Sequence, residues 1–172
     1  DGFETLLAAD ADLPAANEIT GTTIDASNVI DELGKIVDAI PAQLYGKEDL
    51  SIYVSQNIYR AYVRSLGGFG ANGLGANGYR GEGNNQAMGD LMFDGVKLFV
   101  CNGMSNNVAI CAEKSNLFFG TGVLNDANQV KVLDMADLDG SENVRFVMRM
   151  TAGVQYGNVE DIITYGIVNG AN

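Results

Sequence analysis

The side chains with the most scope for chemistry in this sequence are two thiols, Cys101 and Cys111, because the chain contains no histidine. Without an imidazole there is no Ser–His or Cys–His nucleophile pair, no imidazole general base and no histidine ligand for zinc. The other candidates are glycine-rich backbone, clustered carboxylates and tyrosines. From these residue types we expect no catalytic residues, no cofactor and no bound metal.

The two cysteines lie on the arms of a predicted β-hairpin. Its two apolar runs are joined by Asn, Gly and Ser residues, which are typical of turns. With a loop over residues 102–107, Cys101 lies opposite Val108 and Cys111 opposite Leu98, so the sulfurs are on opposite faces of the sheet. This register favours two free thiols, packed as small hydrophobic side chains, over a disulfide or a reactive cysteine.

Residues 67–89 form a glycine-rich passage that matches a nucleotide-binding pattern in form only. The pattern Gly-x-Gly-x-x-Gly occurs twice, at residues 68–73 and 73–78. A dinucleotide-binding loop must follow a strand and open a helix, so that the pyrophosphate meets the helix N-terminus. Here the pattern follows a predicted helix and leads into more glycine. We therefore expect a surface loop and no cofactor.

The same passage contains the candidate subunit-interface residues, Phe69, Leu74, Tyr79 and Arg80. Ordering a residue costs roughly 1 to 2 kcal/mol, and more for glycine, so the few apolar anchors of the passage, Phe69, Leu74, Tyr79 and Met88, cannot hold it in a single subunit. Several copies around a symmetry axis could bury the anchors against one another. We expect a loop that becomes ordered mainly by contacts between copies.

Two further groups of residues are better explained by structure than by chemistry. The carboxylates of residues 134–142 lack the alternating oxygen ligands and the distal glutamate of an EF-hand, so a solvated turn is favoured over a calcium site. Tyr59, Tyr62 and Arg64 are spaced as an aromatic and basic patch, but both tyrosines share a helix face with apolar residues. We predict that they pack in the core or at an interface.

Charge and composition restrict the class of protein. A net charge of −12, with ten basic residues dispersed along the chain, argues against a reader of nucleic-acid sequence. At 172 residues and 47% hydrophobic composition, the chain can form one globular domain with a full core. No apolar run approaches the roughly 20 residues of a membrane span, and no leader pattern is present. The chain opens without methionine, and we expect a fragment.

Hydrophobic periodicity predicts two principal helices. Residues 27–40 carry one apolar stripe, which Asp25 or Ser27 can cap and which Pro41 ends. A second helix over residues 56–66 follows a capping serine. A shorter helical pattern begins the chain and leads into a surface strap.

Alternating patterns predict the strands, at residues 50–55, 96–101, 108–112, 129–133 and 143–151. The last strand alternates Val144, Phe146, Met148 and Met150 with two arginines, which predicts one buried face and one charged face. Residues 160–166 are compatible with either a short strand or a helical turn.

In its order of elements, the chain resembles the major capsid proteins of tailed bacteriophages of the Hong Kong 97 type. The resemblance covers residues 23–166. It is carried by the long amphipathic helix, the extended residues 50–54, the second helix, a variable loop, Phe93-Asp-Gly-Val-Lys-Leu-Phe-Val, the hairpin, Asn116-Leu-Phe-Phe-Gly120 and the strands that return to Tyr165 and Gly166.

The resemblance implies an α+β fold, with a mixed or antiparallel sheet, flanking helices and one long spine-like helix. Residues 1–48 would form an N-terminal strap and the spine helix, which belong to the peripheral domain of the family. Residues 49–172 would form an axial-type α+β domain with the glycine-rich loop at 67–89.

The function that the resemblance implies is structural and not enzymatic. The chain would be a subunit of an icosahedral capsid, would form pentamers and hexamers with copies of itself, and would enclose phage DNA without sequence-specific binding. It would be found in the virion, and in the host cytoplasm during assembly, with no membrane contact. The N-terminal arm and extended loop of the family have no counterpart here, so we expect the chain alone to be a monomer or a weak oligomer.

Two alternatives remain open. An encapsulin-like nanocompartment subunit shares the fold but encloses enzyme cargo. An extracellular adhesive or glycan-binding β-rich module would fit the glycine and asparagine content, and it predicts export and calcium dependence.

Overall fold

The computed structural model describes residues 2–66, 91–121, 129–135, 140, 142–149 and 151–167. These residues form a mixed α+β fold around a six-stranded sheet. The helices are α1 (Phe3–Ala8), α2 (Val29–Asp38) and α3 (Gln56–Ser65). The strands are β1 (Glu18–Ile19), β2 (Leu50–Val54), β3 (Leu91–Phe93), β4 (Val96–Val100), β5 (Ala109–Glu113), β6 (Leu117–Thr121), β7 (Gln129–Asp134), β8 (Val144–Arg149), β9 (Ala152–Tyr156) and β10 (Ile163–Tyr165).

The six-stranded sheet has the order β1-β10-β5-β2-β4-β3. β2 pairs parallel with β4 and antiparallel with β5, and β1 pairs parallel with β10, so the sheet is mixed. β2 is covered on both faces: Leu50, Ile52 and Val54 are buried on one side and Ser51 on the other. A strand in this position needs apolar contacts above and below, and its short apolar sequence supplies them.

The predicted hairpin is wrong in its pairing but right in its register. β4 and β5 run antiparallel, but they are not neighbours. β2 lies between them, and its Ile52 pairs with Leu98 of β4 on one side and with Cys111 of β5 on the other. The connection over residues 101–108 is longer than the two to five residues of common hairpin loops. It is long enough to cross one intervening strand at a spacing of about 4.8 Å.

α2 is shorter than predicted, with ten residues in place of the span 27–40. A local turn begins it: Asp25 Oδ1 accepts from the Ser27 backbone N–H at 2.7 Å, and Asn28 Oδ1 accepts from the Asp25 N–H at 2.8 Å. The helix ends before Pro41 and packs against α3 and β10. No helix in the described ranges exceeds ten residues, so the long spine-like helix is not seen in this part of the chain.

α3 agrees closely with its predicted bounds and follows Ser55, whose backbone is extended. The serine hydroxyl donates to Asn57 Oδ1 at 2.6 Å and does not cap a backbone N–H. Tyr62 is buried, donates to the Met92 carbonyl at 3.0 Å and meets the Phe93 ring edge-on. Core packing is therefore confirmed for this tyrosine.

The helices cover both faces of the sheet, and each face has its own apolar core. β5 shows the alternation directly: Ala109 and Cys111 face the core beneath α2 and α3, whereas Ile110 and Ala112 face the core beneath α1. Successive strand residues point to opposite faces, so one short apolar run contributes to two cores.

The N-terminal segment is more firmly integrated than a surface strap. Leu7 of α1 is fully buried, and β1, which the sequence pattern does not predict, adds a strand to the sheet. Glu4 accepts hydrogen bonds of 2.8 Å from both the backbone N–H and the hydroxyl of Ser105. The proposed division at residue 48 stays a prediction, although β1 and α2 share a sheet and a core with later residues.

Two antiparallel strand pairs extend the fold beyond the sheet. β6 pairs with β9 and β7 pairs with β8, and the second pair is nested within the first along the chain. Leu117 of β6 packs against the core beneath α1, whereas Phe118 and Phe119 of the same strand are exposed. Residues 159–165 combine both predicted alternatives, a 3₁₀ turn (Val159–Asp161) followed by β10.

Candidate interaction surface

The predicted subunit-interface residues Phe69, Leu74, Tyr79 and Arg80 lie outside the described residues. The central part of the acidic turn, residues 136–139, also lies outside them. Within the described ranges, no group of three or more Cys, Asp or Glu side chains could hold a metal ion.

The most exposed apolar surface of the described chain is on β7 and β8. The pairing places Val130 opposite Met148 and Val132 opposite Phe146. Because directly opposite residues in an antiparallel pair share a face, these side chains project on the same side, together with Val144. We call these five residues the apolar ribbon face. Their exposed fractions are 55, 60, 53, 66 and 73% for Val130, Val132, Val144, Phe146 and Met148.

This surface corrects the prediction of a half-buried strand at residues 143–151. The alternation is present, but the face formed by Phe146 and Met148 is open within a single chain. Among the described elements, the substantial contacts of β7 and β8 are with each other. No helix or second sheet of the described fold therefore covers this face.

The opposite face of the same ribbon carries basic side chains. Lys131, which pairs with Val147, and Arg145, which pairs with Leu133, are both exposed there. The ribbon thus has one mainly apolar face, which also carries Asp134 opposite Val144, and one mixed face on which Lys131 and Arg145 accompany Leu133 and Val147. The mainly apolar face can bind a partner whose own contact surface is apolar.

The prediction of two free thiols is confirmed. Cys111 is buried in the core beneath α2 and α3, whereas Cys101 lines a groove on the α1 side, so the two sulfurs are on opposite faces as expected. Burial raises the pKa of Cys111 to about 12 and also raises the pKa of Cys101. Both thiols are protonated at neutral pH, the form that is neither nucleophile nor metal ligand.

Two grooves on the described surface differ in the chemistry of their walls. A groove of about 430 Å³ beside α1 has mainly apolar walls, which include Phe3, Tyr53 and Met104. A second groove, of about 370 Å³, is lined by hydroxyl and amide groups such as those of Thr20 and Asn107. The first can accept an apolar side chain, and the second can accept a polar chain segment.

No helix in the described ranges combines the length and the apolar character that crossing a bilayer requires.

Comparison with known proteins identifies a shared fold. No family model matches this chain, and no curated protein is similar to it in sequence. A solved structure from Mycobacterium phage Che8 matches with a TM-score of 0.60 and 13% identity. The match covers 97% of this chain and 58% of the phage chain, so the present chain spans little more than half of that relative's length. The chain therefore has the fold of a phage-derived structure.

Sequence reasoning placed the interface in the glycine-rich passage and did not identify the apolar ribbon face. The sequence does contain a pattern for this face, because apolar residues occupy every second position, at Val130 and Val132 and again at Phe146 and Met148. The same alternation is typical of strands that are buried by their own chain. The pattern alone could not distinguish a covered face from an exposed one.

Proposed function

We propose that this chain is a structural subunit of a phage shell, an icosahedral capsid of the Hong Kong 97 type, with no chemistry of its own. The observation that carries the proposal is the fold shared with the Mycobacterium phage Che8 structure over 97% of the chain. The order of elements in residues 23–166 supports the same class of virus by a separate argument.

The exposed surface of the chain also supports a role in assembly. Shell subunits bind one another through complementary surfaces that repeat around a closed ring. A monomeric protein rarely exposes a contiguous apolar patch without a partner for it, and the apolar ribbon face is such a patch. The lack of histidine fits a protein that is selected for packing and not for catalysis.

In this proposal, residues 49–172, with α3 and most of the six-stranded sheet, form the axial-type domain. α2 has ten residues and packs against this domain through α3 and β10. Pentamers and hexamers of the chain would build the shell. The enclosed DNA would be bound without sequence readout, in keeping with the acidic net charge.

The test is to express the full coding sequence to which this chain belongs and to examine fast-sedimenting material by cryo-electron microscopy. The expected result is closed shells whose capsomers accommodate the six-stranded sheet as described. The control is the 172-residue chain alone, which we expect to be a monomer or weak oligomer. Small oligomers at every concentration of the complete product would contradict the proposal. Shells that enclose an enzyme and no DNA would instead indicate a nanocompartment.

A further inference from the structure

A third groove of the described surface, beside α3, contains two arginines that have no ion-pair partner there. Arg60 and Arg64 are exposed, lie four residues apart on α3 and both line this groove, which has a volume of about 400 Å³. The ion pairs of the described residues are formed by Lys35 and Lys47, so no described carboxylate neutralises either arginine. Like charges at this helical spacing repel each other and destabilise the helix. An anion bound between the two guanidinium groups would relieve that repulsion.

The one carboxylate in the wall of this groove is engaged by its own turn. Asp25 Oδ1 accepts from the backbone N–H groups of Ser27, at 2.7 Å, and Asn28, at 3.2 Å, and from the Ser27 hydroxyl at 2.5 Å. No ion pair joins Asp25 to an arginine within the described residues. Two arginines and one aspartate give the groove a net charge of +1, on a chain whose net charge is −12.

The walls of the groove have the chemistry to hold a carboxylate on a short chain segment. A guanidinium binds a carboxylate through two parallel N–H···O bonds. The exposed amides of Gln56 and Asn106 line the same groove and can donate to, or accept from, the backbone of such a segment. Ile24 and Ala61, both buried, supply apolar wall beside these polar groups.

A nucleic acid matches this groove less well than an acidic protein segment. Duplex DNA presents one negative charge for about every 1.7 Å of its axis, so a protein that binds it needs a series of cations. The groove has two cations and one carboxylate, and the chain as a whole is acidic. Carboxylates are abundant on the chain itself, which has 22 acidic and 10 basic residues. Another copy of the chain therefore carries the complementary groups.

We infer that the groove of Arg60 and Arg64 binds a carboxylate-bearing segment of a second copy of this chain. The inference rests on the proposed shell function for its choice of a second copy, and it adds a surface and the chemistry of the contact. Copies with a net charge of −12 repel each other at long range. A contact between them is therefore favoured where cations without a partner in their own chain meet a carboxylate of the next.

A zero-length crosslink tests the partner directly. The substitution Arg64→Lys keeps the positive charge and supplies an amine, which a water-soluble carbodiimide joins to any carboxylate in contact with it. The 172-residue variant is mixed with isotopically heavy copies of itself before the reagent is added. The expected products are amides between position 64 of one chain and an aspartate or glutamate of a chain of the other isotope. Amides confined to one chain, or no amide at position 64, would overturn the inference.

A pair of double variants tests the energetics. Arg60→Gln with Arg64→Gln is expected to weaken self-association at least tenfold in sedimentation velocity at low salt. Lys97→Gln with Lys131→Gln is the matched control, because both lysines are exposed outside the groove and their loss changes the net charge equally. Circular dichroism shows whether each variant folds. Equal weakening in the two double variants would refute the inference, and so would a parent chain that stays monomeric throughout the concentration series.

The outcomes separate this inference from the proposed function. Normal shells from a complete product that carries the double arginine substitution would refute the groove contact and leave the shell function intact. Mixed-isotope amides in a protein that never forms shells would support the contact and refute the shell function. Binding of a fluorescent DNA duplex that the double arginine variant loses, without amides between copies, would overturn the inference in favour of a nucleic-acid partner.

Discussion

The phenol of Tyr165 donates a hydrogen bond of 2.8 Å to Glu32 Oε2 in the interior between β10 and α2. Both residues are buried, and Lys35 Nζ donates to the other carboxylate oxygen of Glu32, Oε1, at 2.8 Å. The Thr22 backbone N–H donates to the same phenol oxygen at 3.0 Å. This network joins α2, β10 and the segment after β1, and it stabilises the edge of the sheet where the N-terminal segment enters.

Removal of the phenol hydroxyl should destabilise the fold. In Tyr165→Phe, Glu32 loses a buried donor and the Thr22 N–H loses its acceptor, so we expect a loss of about 2 kcal/mol in the free energy of unfolding. Urea denaturation measures it. Tyr45→Phe is the control, because Tyr45 is 52% exposed and its hydroxyl makes one long contact of 3.3 Å. Equal losses in the two variants would show that the buried bond contributes nothing.

Stability should depend on pH through Glu32. Hydrogen bonds from Lys35 and then Tyr165, against the opposing effect of burial, hold the pKa of Glu32 below its usual range. The stabilisation is therefore complete above the ordinary glutamate pKa, about 4.3, and is lost as the pH falls through the lower folded value. Urea denaturation at pH 7 down to 3 should show a smaller acid loss for Glu32→Gln than for the parent.

The comparison of the parent with Glu32→Gln isolates the contribution of the Glu32 carboxyl. The pKa of Asp25 and that of Asp49 are also lowered, chiefly by hydrogen bonds from Ser27 and Ser115. These carboxyls contribute to the acid loss of both proteins, so only the difference between parent and variant reports on Glu32. Parallel curves would contradict the assignment.

Glycine at position 166 should be required by the backbone. Gly166 has a φ of +73°, and an added Cβ would lie 2.3 Å from the Asn107 carbonyl oxygen. We expect Gly166→Ala to cost at least about 2 kcal/mol, from the left-handed conformation and from displacement of a neighbouring backbone. Gly46→Ala, at φ +86° with open space, should cost only about 1 kcal/mol. Thermal denaturation of both variants tests the difference.

The two thiols should differ in reactivity. Cys111 is fully buried with a pKa raised to about 12, whereas Cys101 is partly exposed in the groove beside α1. With Ellman's reagent we expect one thiol to react in the native chain and the second only at the rate of unfolding, faster in urea. Cys101→Ser should remove the fast phase. A fast phase that persists in this variant would show that Cys111 is accessible.

The sequence by itself determined the local elements of this protein and the register of its central strands. α3 and most of α2 follow from apolar residues at helical spacing, because one helix face must be buried wherever the helix packs. Alternation likewise located β4, β5 and β8. The predicted row from Leu98 to Cys111 exists in the sheet, although Ile52 occupies its middle.

Only the tertiary structure decided which strands are neighbours and which faces are covered. Pairing of β2 between β4 and β5 joins residues that are distant in the chain, and no local pattern reports on such contacts. The alternation of Phe146 and Met148 specifies an apolar face but not the body that buries it, since a core and a second molecule present the same apolar environment.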